Sequence, residues 1–177
     1  LRLTWTGANW DTPATGAAED SSDLYIYMDL RAGGAITAVN PYAGDGPLIY
    51  LPGATPSSQA GAMGADYLVW VWDAGTAVLL EWTGSEWDLA ATLTPAEYRF
   101  DASTGGGLTD LYLPFSMIGI ADPAAATLDM VAFASGEATL DLWAVMPADP
   151  NSWWSTPMRW SRVPSRTAFL WKGTRTS

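Results

Sequence analysis

Apolar residues in this chain come in short alternating runs, each ended by glycine or proline, and this pattern restricts the fold more than any other feature. Leu1, Leu3 and Trp5 alternate with Arg2 and Thr4, and Leu24, Ile26, Met28 and Leu30 alternate with Tyr25, Tyr27 and Asp29. A period of two is the spacing of a strand, whose successive side chains point to opposite faces. Further strands are predicted over 36–39, 48–51, 66–72, 76–82, 87–93, 98–100, 110–115, 127–134, 139–145 and 167–171, with GG, GDG, PG and GGG as breakers between them. No stretch of twelve residues holds an apolar stripe of helical period. Short strands at this density predict an all-β protein: an antiparallel β-sandwich of jelly-roll type, with two sheets and about 10–12 strands.

Two of the predicted strands, 23–30 and 66–72, are apolar or aromatic on both faces. Such strands belong in the middle of a sheet, with the second face covered by a loop, another element or a ligand. The 177 residues suit a single domain over 1–177. Within it, residues 146–166 contain four prolines and no clear period. They are expected to form a long irregular segment leading to a terminal strand at 167–172.

The stretch LLEWTGSEWDLAA, residues 79–91, reads as a hairpin with TGSE as its loop. Counting inward, Trp82 opposes Trp87, Glu81 opposes Asp88 and Leu80 opposes Leu89. Val78, Leu80 and Trp82 then share one face, as do Trp87, Leu89, Ala91 and Leu93, so the tryptophan pair belongs to the buried stripe. A cross-strand aromatic pair contributes roughly 0.2–1 kcal/mol without any ligand. Glu81 and Asp88 fall on the polar face as like charges, which need an offset from a nearby arginine, bound calcium or water. A glycosidase acid and base would need a cleft that raises one carboxyl, and a hairpin flank is a poor place for one.

Cysteine and histidine are both absent. Without histidine the chain lacks the commonest general base and transition-metal ligand, which closes Ser-His-Asp chemistry and histidine-ligated zinc or haem. Residues 1–149 hold all nineteen carboxylates against Arg2, Arg31 and Arg99, a net of −16; the last 28 residues hold Arg159, Arg162, Arg166, Lys172 and Arg175, a net of +5. An acidic body repels phosphate, so nucleic acid is not an expected partner. No run approaches the roughly 18 apolar residues of a membrane span, so no membrane insertion is expected. The chain opens at Leu1 without a basic or apolar leader, which reads as a processed or excised piece. Abundant Gly, Ala, Thr, Ser and Trp with a single lysine suggest an extracellular or cell-surface protein.

Sugar binding needs flat aromatic faces with carboxylates, amides or guanidinium groups around them. The best local supply is PNSWWSTPMRW, with Trp153 and Trp154 adjacent and Asn151 and Arg159 nearby. Adjacent residues of an extended chain point to opposite sides, so one tryptophan anchors the segment while the other faces outward. Trp10, in GANWD, is a further candidate, with a plug over the core as its bland role. Tyr25 and Tyr27 line a concave face or pack beneath a loop. Weak calcium ligands are Asp20 and Asp23 in AEDSSD, Asp45 in AGDG, and Glu81 with Asp88; none forms a spaced calcium loop. No cofactor is expected, and a structural calcium ion is the single metal considered. The GG at 33–34 and the GGG at 105–107 read as turns, since neither joins a strand to a helix nor precedes a lysine.

Three stretches in order, DLYIYMDLRAGG, ADYLVWVWDAGTAVLLEWTGSEWDL and TDLYLPFSMIGI followed by LDMVAFASG, resemble the carbohydrate-binding family 9-like, or DOMON-like, β-sandwich superfamily. The shared marks are a strand reading LY with apolar residues and Asp, then the step Leu113, Pro114, Phe115 and the turn Ile118, Gly119, Ile120. The resemblance covers residues 20–145. It implies an exported jelly-roll-like sandwich; some members bind sugars between aromatic rings, others bind haem through a histidine that this chain lacks. The expected function is therefore non-catalytic carbohydrate binding by an extracellular module, with Trp153 and Trp154 as the platform and Trp10, Asn151 and Arg159 beside it. The alternative is a structural module of a surface layer, adhesin or filament. Its terminal strands would pair with a neighbouring subunit, and its acidic body would meet a basic tail in a salt-dependent way.

Overall fold

The computed structural model describes residues 2–5, 22–38, 49–54, 58–73, 76–103, 106–136, 142–146, 158–163 and 170–175. In chain order the strands are β1 (Arg2–Trp5), β2 (Ser22–Asp29), β3 (Thr37–Ala38), β4 (Ile49–Tyr50), β5 (Tyr67–Asp73), β6 (Thr76–Trp82) and β7 (Trp87–Leu93). They continue with β8 (Tyr98–Ser103), β9 (Gly106–Leu111), β10 (Asp129–Gly136), β11 (Leu142–Met146), β12 (Met158–Val163) and β13 (Leu170–Arg175). Among the described residues the sole helical element is a 3-10 turn at Phe115–Ile118. The all-β expectation therefore holds.

The principal sheet is antiparallel with the order β11-β10-β2-β5-β6-β7; β1-β9-β8 form a three-stranded sheet, and β12-β13 and β3-β4 are two-stranded ribbons. Strands β2 and β5 lie at its centre, as their two-sided apolar pattern requires. On one face Leu24, Ile26, Met28, Val69, Val71, Leu79 and Ala132 pack with Tyr98, Leu111 and Ile118. On the other, Tyr25, Tyr27, Leu68, Trp70, Val78, Leu80, Val131 and Phe133 pack with Ala38, Leu51, Met63 and Ala65. Tyr25 and Tyr27 thus lie beneath the segment that links β2 to β5.

That covering segment is held by backbone contacts. Ala35 and Ala65 form a two-way bridge, with both N–H···O distances 2.8 Å. The Gly64 N–H donates to Asp29 Oδ2 at 2.9 Å. Gly34 has φ +93°, and a Cβ there would stand 2.2 Å from the Gly64 carbonyl oxygen; a Cβ on Gly64 would stand 1.6 Å from the Gly33 oxygen. Only glycine allows two backbones so close.

The hairpin keeps the predicted register: Trp82 opposes Trp87, Glu81 opposes Asp88 and Leu80 opposes Leu89. Its apolar stripe is not continuous, however. The register shifts after this point, so that Leu79 pairs with Ala91 and Ala90 becomes the extra residue of a β-bulge. Trp87 consequently packs with the aromatic face, while Ala91 and Leu93 join the opposite core. Leu89, expected in the buried stripe, is 63% exposed, and neither core cluster of the described residues includes it.

Three further expectations change. Met158–Val163, within the segment read as irregular, forms β12 and pairs with β13. Gly106 and Gly107 belong to β9 and are paired to β8, so only part of GGG can be a turn. The step after Leu113 is not a continuing strand: the 3-10 turn follows Pro114, Gly119 ends it at φ +71°, and Ile118 is inserted into the core. No helix among the described residues is long and apolar enough to cross a membrane.

Candidate functional site

The most organised polar group lies where β2, β5 and β6 end together. Asp66, just before β5, is buried at 4% exposure, and a carboxylate in that position needs partners. It has them: the Leu30 and Arg31 N–H groups donate to Oδ2 at 2.8 and 2.7 Å. Arg31 Nε lies 3.4 Å from Oδ1. The backbone continues the same connection, since Asp66 N–H donates to the Met28 carbonyl and Trp82 N–H donates to the Asp66 carbonyl, both at 2.8 Å.

Arg31 then reaches across to β6. One guanidinium nitrogen donates to Glu81 Oε1 at 3.2 Å, the Tyr67 hydroxyl donates to the same oxygen at 3.2 Å, and the guanidinium carbon stands 5.2 Å from the centre of the Tyr67 ring. The offset required by Glu81 against Asp88 is therefore an arginine, one of the three solutions the register allowed. Burial lowers the Arg31 guanidinium, but its hydrogen bond to Glu81 and the charge of Asp66 outweigh this and raise it overall. Burial pushes the Tyr67 phenol up, and the Glu81 charge adds to the shift while Arg31 opposes it. The Arg31 and Glu81 side chains remain 52% and 42% exposed, so each keeps capacity for another partner.

One rung further along, the aromatic face ends at the same place. Trp82 and Trp87 have ring centroids 5.3 Å apart and tilted by 59°, and Trp87 stands edge-on to Tyr27 at 5.7 Å. Tyr27, Phe133, Tyr25 and Trp70 continue this row at 5.5, 5.0 and 6.1 Å. Both tryptophans are half-buried. Among the described residues the buried Trp87 Nε1–H has no hydrogen-bond partner. The pair is thus the outer end of a core, as its register predicted, with part of its surface open.

Trp10, Asn151, Trp153, Trp154, Asp20 and Asp45 lie outside the described residues. Arg159 stands in β12 opposite Thr174, and Asp23 stands in β2 opposite Ser135. The structure does not bring Glu81 and Asp88 into a larger acidic group: among the described residues no three His, Cys, Asp or Glu side chains are placed to hold a metal ion. Sequence reading passed over Asp66 and Tyr67 as functional candidates, and it mentioned Arg31 only in the charge balance. The available signal was the unpaired Glu81–Asp88 rung, which asked for an arginine without saying which. Comparisons with family models, curated proteins and solved structures return no match to this chain.

Proposed function

We propose that this chain is a non-catalytic carbohydrate-binding module that takes its ligand at the end of the principal sheet. The observation that carries this reading is the meeting of two half-exposed groups there: the Trp82–Trp87 pair, and the Arg31–Glu81–Tyr67 cluster one residue away along β6. A pyranose presents apolar C–H groups and a ring of hydroxyls, so it is matched by an aromatic surface beside a guanidinium and a carboxylate. Such a ligand would lie across the strand ends, touching the rings on one side and the ion pair on the other. Because Arg31 is fixed by the buried Asp66, little ordering entropy would be lost on binding.

The scaffold proposed is a jelly-roll-like sandwich of the carbohydrate-binding family 9-like or DOMON-like type, on an exported protein. Its support is that Tyr98 and Leu111, from the three-stranded sheet, share one core with the principal sheet. Trp153 and Trp154, with Trp10, Asn151 and Arg159, are proposed as a second aromatic surface for the same class of ligand; no cofactor takes part. Titration of the protein with a panel of soluble polysaccharides, followed by tryptophan fluorescence, tests both sites. The expected result is a saturable change with at least one glycan, weakened about tenfold or more by Trp82→Ala or Arg31→Ala. Loss in Trp153→Ala and Trp154→Ala alone would transfer the site to the second surface, and no response across the panel would overturn the function.

A further inference from the structure

We infer that β7 is the docking edge for a second copy of this chain, and that the strand it receives is the basic β12. Strand β7 is the outermost of the principal sheet; its inner edge is bonded to β6, and among the described residues no strand pairs with its outer edge. An open edge of this kind is a template for another strand. Natural edges are usually blocked by lysine, proline or inward charges. In β7 the single charge is Asp88, and there is no lysine, proline or glycine. Asp88, Leu89, Ala90 and Thr92 are all exposed, and Leu89 is the most exposed large apolar side chain among the described residues. The bulge at Ala90 is the one blunting device present, and it leaves the stretch from Trp87 to Leu89 in regular pairing with β6.

Charge selects the occupant. At the open edge stand Glu86 and Asp88, with Glu81 beside them paired to Arg31, in a body with a net charge of −16, so two β7 strands would bring like charges together. The opposite charge sits at the other end of the chain. The β12–β13 ribbon carries Arg159, Arg162, Lys172 and Arg175, four of the eight basic residues. Among the described residues strand β12 is bonded to β13 alone; it approaches β11 but shares no ladder with it. An antiparallel register that sets Arg159 opposite Asp88 also sets Met158 opposite Leu89 and Trp160 opposite Trp87, so charge meets charge and apolar residue meets apolar residue. The terminal strands themselves are engaged inside the chain, β1 with β9 and β13 with β12, and β13 lies against β1. The acceptor edge is therefore internal to the sequence, and the contact is head-to-tail, which propagates from copy to copy.

Sedimentation velocity on the whole chain provides the test, with two charge reversals, Asp88→Arg at the edge and Arg159→Asp in β12. Far-UV circular dichroism confirms that each variant keeps its sheet content; Asp88 is exposed, so folding should not depend on it. At about 0.01 M ionic strength, where screening extends about 30 Å, the unaltered chain should form oligomers of at least twice the monomer mass; at about 1 M, with a screening length of about 3 Å, it should return to monomer. Each variant alone should stay monomeric at low salt. A mixture of the two should recover oligomers like those of the unaltered chain, because every edge then again meets a β12 of opposite charge at this position. A chain that is monomeric at every concentration and salt would overturn the inference. So would a closed dimer, or association that persists in both variants.

Discussion

Strands β5 and β7 have the same length and stand two places apart in one sheet, yet their environments are opposite. In β5, residues Tyr67, Leu68, Val69, Trp70 and Val71 are all at or below 4% exposure. In β7 only Leu93 is buried. Apolar content does not account for the difference, since five of the seven residues of WDLAATL are apolar against six of the seven in YLVWVWD. The cause is what covers each strand. The Ala35–Ala65 region closes one face of β5 and the Tyr98–Leu111–Ile118 group closes the other, while β7 meets these cores only through Trp87 on one face and Ala91 and Leu93 on the other. Structural stability should therefore concentrate in β5, and interaction in β7 and the rungs beside it.

The largest effect that could break this comparison is a pair of truncations. Leu68→Ala should cost about 3 kcal/mol or more, through lost burial and the cavity left in a closed core. Leu89→Ala should stay within about 0.5 kcal/mol. Urea melts of the two variants check this, and equal losses would contradict the assignment of centre and edge. Next is Gly64→Ala, whose Cβ would collide with the Gly33 carbonyl oxygen. Forcing the covering segment off the aromatic face should cost about 2–3 kcal/mol. It should also raise the tryptophan emission wavelength, as Trp70 gains contact with water. Gly84→Ala in the hairpin loop has open space for its Cβ, although its φ of +105° carries its own strain, so it should leave the emission unchanged.

Asp66→Ala comes third. It leaves the Leu30 and Arg31 N–H groups without an acceptor and frees the guanidinium, for a loss of about 2 kcal/mol. Asp88→Ala, on the exposed edge, should lose almost nothing, and the same melts compare the two. The smallest effect is a pH dependence. The folded-state Tyr67 phenol is raised above its ordinary value of about 10. A raised value in the folded state favours the protonated form, so the contribution is complete below that ordinary value and is lost as pH rises through the folded one. Thermal melts across the alkaline range should show this decline, and Tyr67→Phe should flatten it.

The hairpin was legible in the sequence because alternation and loop length determine register, and Trp82, Trp87, Glu81 and Asp88 all fall where counting put them. The two-sided strands were legible for a similar reason: a strand with no polar face must be covered twice. The bulge at Ala90 was not, because a single extra alanine changes neither composition nor length. Nor was β12, whose run MRWSRV, confined between Pro157 and Pro164, lacks a clean period of two. The Arg31–Asp66–Glu81 group joins positions 35 and 50 residues apart, and its acceptor is specified by how the covering segment closes. Gly34 and Gly64 carried no sign of their contact, since a close approach of two backbones leaves no pattern in side chains.

Amide hydrogen exchange resolved along β5 and β7 tests the division between closed centre and open edge most directly. The β5 amides should exchange only with global unfolding, while β7 amides at its outer edge should exchange many times faster in dilute, high-salt solution. Exchange of β5 as fast as that of β7 would contradict the two-sided core.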